Sequence, residues 1–183
     1  MSNTFQTDDQ TQKLISNLQQ QITRLTDQLA ELEEFKEELE EDEYVEIKQE
    51  TLQELKEVQE TADKMAEGNI SLLDSLGAAA LAMRAAVSNA FQTPDIISMF
   101  AKAQPAQLRN KFDELQRDLK LGKVSKEHFT QQTIEVLTAL QRLGEQLSSQ
   151  EEQFLRTNMT ENMRHFAELS NDVVLNEDLI VSK

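Results

Sequence analysis

FTQQTIEVLTALQRLGEQLSSQEEQFLRT, residues 129–157, reads as two helices and a tight join. Apolar residues at Phe129, Ile134, Val136, Leu137, Leu140 and Leu143 keep a helical period. The stripe is wide enough to pack on one side while a second face stays free. Gly144 follows the last periodic leucine, where a chain leaving a helix turns left-handed and glycine does so without a Cβ clash. Leu147 comes next, then Ser148 and Ser149, each with a glutamate three residues on (Glu151, Glu152), so either can close a capping box. Phe154 and Leu155 give the second helix its inward side. Upstream, Ser125 is a candidate N-cap, and downstream Thr160 can cap a third short helix carrying Met163, Phe166 and Leu169. A three-helix unit over 123–170 is the expectation.

Composition extends this to the whole chain. The 183 residues include no Trp, few aromatics, four Gly and two Pro. A core must therefore come from Leu, Ile, Ala and Met on amphipathic helices, and the class is all-α. The absence of cysteine excludes disulfides, thiolate metal sites and thiol nucleophiles together. No secretory pattern opens the chain, and the most apolar window, Leu72 to Phe91, contains Asp74, Arg84 and Asn89. No membrane association and a soluble intracellular protein are expected. The formal charge is −16, and residues 31–60 carry most of it, with fourteen Asp/Glu against three Lys. That distribution speaks against nucleic acid, since no basic stripe is present to release counterions from phosphates. The acidic run reads first as a solvated helix face, and second as a surface that would attract a basic protein.

Before the three-helix unit, residues 1–9 are polar and read as a disordered start. A heptad follows within a helical region spanning 10–67. Leu18, Leu25, Leu32 and Leu39 occupy its d positions, and Ile15, Ile22, Leu29 and Lys36 its a positions. The flanking positions pair no opposite charges, so two arrangements stay open. One is a leucine zipper with another chain, as a homodimer or with a coiled-coil partner. The other is a helical hairpin, in which Leu52, Leu55, Ala62 and Met65 or Ala66 cover the same seam. Gly68-Asn69 ends this part. A middle region over 69–121 begins with an Ala-rich helix whose small side chains let neighbours approach closely. Thr93-Pro94 then reads as an N-cap followed by proline at the first helical position, and Pro105 restarts the chain similarly. Leu108, Phe112, Leu115 and Leu119 form the last stripe before Gly122, with a boundary expected at Leu121–Val124. Residues 171–183 read as a tail.

Nothing in this inventory suggests catalysis. His128 and His165 have no nucleophile or metal-ligand partner at helical spacing, the carboxylates sit on surface helices, and the glycines are too scattered for a phosphate loop. The expectation is a non-enzymatic protein with no cofactor and no metal.

The residues of the opening stretch, together with their order, resemble the ICAT domain, the inhibitor of beta-catenin and its transcription-factor partner. The resemblance is carried by Phe129, Gln131, Gln132, Val136, Leu137, Leu140, Arg142, Leu143, Gly144, Leu147, Ser148, Glu151, Glu152, Phe154 and Leu155. With AFQTPDIISMFAKAQPAQLR at 90–109 and a zipper ahead of it, the chain looks like an expanded relative in that family. The resemblance implies binding to beta-catenin or another armadillo-repeat protein, modulation of Wnt signalling, and a place in the cytoplasm and nucleus. It also implies a docking face at Phe129, Gln132, Thr133, Val136 and Leu140, with Thr133 standing where the family has a lysine. Asp172, Val173 and Val174 correspond to a segment that the family lays along the repeat groove. The other expectation is a coiled-coil scaffold acting through Ile15, Leu18, Ile22, Leu25, Leu29, Leu32 and Leu39, with beta-catenin binding lost.

Overall fold

A computed structural model describes residues 2–68 and 71–170, and among them the fold is all-α. Helix α1 (Ser2–Glu34) and helix α2 (Glu41–Gly68) are joined by a 3₁₀ turn at Lys36–Glu38. They are followed by α3 (Ser71–Leu76), α4 (Ala78–Val87), α5 (Pro94–Ala101), α6 (Pro105–Lys120), α7 (Lys126–Arg142), α8 (Ser149–Asn158) and α9 (Glu161–Ser170).

The heptad region folds back on itself. Ile15, Leu18, Ile22, Leu25, Leu29 and Leu32 are all buried, and α1 packs against α2, α3, α4 and α5 of its own chain. Leu55 and Ala62 supply the α2 side, and the Gln28 amide donates to the Thr51 hydroxyl at 2.9 Å across the seam. Two expectations are corrected here. Leu39 is not part of the seam: α1 ends at Glu34, and Leu39 is half-buried in extended backbone beyond the turn. The reason is electrostatic. A helix continued through Glu33, Glu34, Glu37, Glu38 and Glu41 would stack like charges at i,i+4. A new helix starting at Glu41 instead sets Glu41, Asp42 and Glu43 in its first turn, where the macrodipole favours them. Nor is the start disordered, because α1 is helical from Ser2, propagation costing little once the packed part has nucleated.

With the seam covered from within, the full chain is expected to sediment as a monomer at every concentration tested. Leu25→Ala should lower stability by about 2–5 kcal/mol and leave sedimentation unchanged. A dimer that dissociates in the variant would show the seam working between chains.

The Ala-rich helix is the close-packed middle of the molecule, with seven of the ten α4 residues, Ala79 to Met83, Ala85 and Ala86, buried. Gly77 at φ 57 allows the turn between α3 and α4, a backbone angle side chains rarely take. Ion pairs then fasten α5 on both sides. Asp27 of α1 accepts from the Ser98 hydroxyl and pairs with Lys102, each at 2.7 Å, and Asp95 pairs with Lys111 of α6 at 2.9 Å.

The boundary at Leu121–Val124 exists as the turn between α6 and α7, with Gly122 at φ 71. The core does not divide there. One continuous cluster of buried side chains runs from Ile15 to Phe166. Phe91, between α4 and α5, stacks on Phe100 with 5.4 Å between ring centroids and meets Phe166 of α9 edge-on at 5.9 Å. The last three helices therefore complete the middle bundle.

Candidate protein-docking helix

The local signals around α7 hold. The Ser125 hydroxyl accepts from the His128 amide at 3.2 Å, Gly144 takes φ 85 after the helix, and Ser148, not Ser149, forms the reciprocal capping box with Glu151. The Thr160 hydroxyl accepts from the Met163 amide at 3.2 Å. Arg109 of α6 reaches Glu151 at 2.7 Å and the Gln146 carbonyl at 3.1 Å, fixing α8 against α6. Burial raises the Glu151 carboxyl, but the hydrogen bonds from Ser148 and the Arg109 guanidinium prevail and hold it below its ordinary value.

The expected docking residues do not share one accessible face. Phe129 and Gln132, near the start of α7, are half-buried, and the Phe129 ring lies edge-on to Phe154 at 6.3 Å. Thr133, Val136 and Leu140 are buried, at 1%, 0% and 0% exposure. All eight residues from Thr133 to Leu140 are buried, because α5, α6 and α8 pack around α7. The expectation of a free second face is corrected accordingly: a stripe that could have met a partner is used by this chain's own helices. Asp172, Val173 and Val174 lie outside the described residues.

The burial sets polar side chains into the core. The Thr133 and Thr138 hydroxyls have no hydrogen-bond partner among the described residues. Leaving a hydroxyl unpaired away from water costs free energy that a methyl group would not. Thr133→Val is therefore expected to raise stability by about 1 kcal/mol in urea unfolding. A decrease would mean that the hydroxyl has a partner.

Glu135 is the group the sequence reading missed. It is fully buried (0%) one turn beyond Gln131. One carboxylate oxygen accepts from the Gln92 amide at 3.1 Å and the Thr93 amide at 3.0 Å; the other accepts from the Thr93 hydroxyl at 3.1 Å and the Gln131 side-chain amide at 3.0 Å. Thr93 was expected to cap its own helix, and its hydroxyl instead serves Glu135. Burial pushes the Glu135 carboxyl up to about 7, against the lowering effect of these hydrogen bonds. The only signal in the sequence was a glutamate inside the apolar run TIEVLTAL.

Above this network opens a cleft of about 880 Å³ between α1, α5 and the start of α7, with Gln92, Thr93, Gln131, Gln132 and His128 on its wall. The described residues hold no group of three or more metal-ligating side chains, and none of their helices is long and apolar enough to cross a membrane.

Residues 115–182 match the model of the family described as Beta-catenin-interacting protein ICAT. The span is just over a third of the chain and starts at Leu115, so it takes in the end of α6 as well as α7 to α9. No solved structure matches the chain.

Proposed function

We propose that this chain is a protein-interaction module, not an enzyme, that binds beta-catenin or another armadillo-repeat protein through its carboxy-terminal helices and so modulates Wnt signalling in the cytoplasm and nucleus. The observation that carries it is the match of residues 115–182 to a family described by its interaction with beta-catenin. Phe129 and Gln132 offer the first contact, since they keep accessible surface at the start of α7. Thr133, Val136 and Leu140 join it only when α7 parts from the helices covering it. Asp172, Val173 and Val174 supply the groove-binding segment.

The coiled-coil scaffold is the weaker alternative because the seam residues that would serve it are buried against α2 to α5. Calorimetric titration of the full chain into the armadillo domain of beta-catenin tests the proposal. Expected is binding in the micromolar range, weakened by Phe129→Ala. Affinity no better than about 1 mM would rule the armadillo partner out. A fragment starting at Lys123 would answer less, because cutting there bares the Phe166 contact with Phe91.

A further inference from the structure

Arg84 of α4 and Asp63 of α2 pair at 3.2 Å beside a cavity of about 320 Å³ that opens where α9 ends. Gln59, Val87, Phe166 and Leu169 also line it, so α2, α4 and α9 all contribute to the wall. An apolar cavity of roughly 150 Å³ holds a benzene-sized group, so this one has room for about two aliphatic side chains.

Two features of the cavity are unfinished in the described fold. The Gln59 side-chain oxygen is buried and has no hydrogen-bond partner among the described residues, which costs free energy unless a donor reaches it. The apolar stripe of α9 also outruns its cover: Met163 and Phe166 are buried, while Leu169, three residues on, is 53% exposed at the cavity. An apolar segment bringing its own backbone N–H groups would complete both.

The chain itself brings such a segment. Helix α9 ends at Ser170, and Asn171-Asp172-Val173-Val174-Leu175 follows. Val173 is three residues past Ser170, a reach of roughly 10 Å at full extension, and Leu169 already lines the cavity. These are the first apolar residues after the helix, so loop closure costs least for them. The tether also holds them at a high effective concentration, which lets a few side chains suffice where a free peptide would not bind. Asp172 brings a carboxylate toward Arg84, whose guanidinium has several N–H donors and gives one hydrogen bond, to Asp63, among the described residues.

We infer that this cavity is the intramolecular seat of Val173, Val174 and Leu175, which fold back over Leu169 and cover it. Val173 and Val174 also belong to the segment assigned above to the partner's groove, and while seated they are withheld from it. The regulatory consequence therefore rests on the docking proposal, whereas the seat itself does not.

Nuclear Overhauser contacts in the methyl-labelled full chain read the seat directly. Expected are contacts from the Val173 and Val174 methyls to the Val87 methyls and the Phe166 ring. They should be lost in Leu169→Asp, a change at an exposed position that sets a charge at the cavity mouth and leaves the helix content unchanged by circular dichroism. Absence of these contacts in the unsubstituted protein, or contacts unaffected by Leu169→Asp, overturns the inference. Contacts seen only between differently labelled chains in a mixture place a second copy's segment in the cavity and also overturn it. Titration of both proteins into the beta-catenin armadillo domain is the second arm. With the seat filled about nine-tenths of the time, Leu169→Asp should bind about tenfold more tightly. Equal affinities overturn the regulatory consequence. Contacts without binding by either protein refute the docking proposal and keep the seat, and binding without the contacts does the reverse.

Discussion

Val136→Glu is expected to abolish the cooperative thermal transition of the chain at neutral pH. Val136 is at 0% exposure in the middle of the buried run of α7, and the described residues place no cation within that run to receive a carboxylate. An unpaired charge in such a site costs several kcal/mol, comparable to the roughly 5–15 kcal/mol that holds a domain together. Acid should partly restore the fold as the introduced carboxyl protonates, which circular dichroism at two pH values would show. A variant that melts like the parent would mean that the Val136 side of α7 faces solvent after all. One practical result is that a charge at Val136 cannot serve as a surface probe of docking, whereas Phe129 and Gln132 can.

Phe91→Ala should cost about 3–5 kcal/mol, and the loss should be felt throughout the molecule. Its ring touches Phe100 in α5 and Phe166 in α9, so it joins the middle helices to the last one. Tyr44 is the single tyrosine, there is no tryptophan, and it sits in α2 with its hydroxyl on Glu33, so its fluorescence follows the hairpin alone. Melting of the variant by tyrosine fluorescence and by far-ultraviolet circular dichroism should coincide at one lowered temperature. Two separated transitions would show that the hairpin and the carboxy-terminal helices are energetically independent despite the shared core.

What could be read from the sequence was what depends on neighbours a few residues away. Ser125, Gly144, Ser148 and Thr160 act where capping chemistry places them, because the groups they satisfy are three or four residues off. The heptad from Ile15 to Leu32 was legible as a seam but not as to its partner, since burial on α2 and α5 leaves the same pattern as burial on a second chain. The α7 environment was the least legible part. Gln131, Glu135 and Thr138 share one side of the helix and look solvated until Gln92 and Thr93 arrive from more than forty residues upstream to meet Glu135. Polar residues that answer a distant backbone carry no local mark, and this kept Glu135 out of the candidate site.

The bond from Ser98 to Asp27 spans 71 residues, and α1 depends on α5 for part of its cover. A ribosome adding about 5–20 residues per second leaves α1 without that cover for roughly 4 to 14 seconds after Asp27 is made. Through that interval each nascent chain presents a leucine-rich ridge that neighbours on the same message could pair with. What appears first behind it is the acidic stretch of residues 31–60, which folds back as α2 and sets like charges between adjacent chains. The acidity of residues 31–60 thus sets like charges between adjacent chains while the α5 part of the seam's cover is still to be translated.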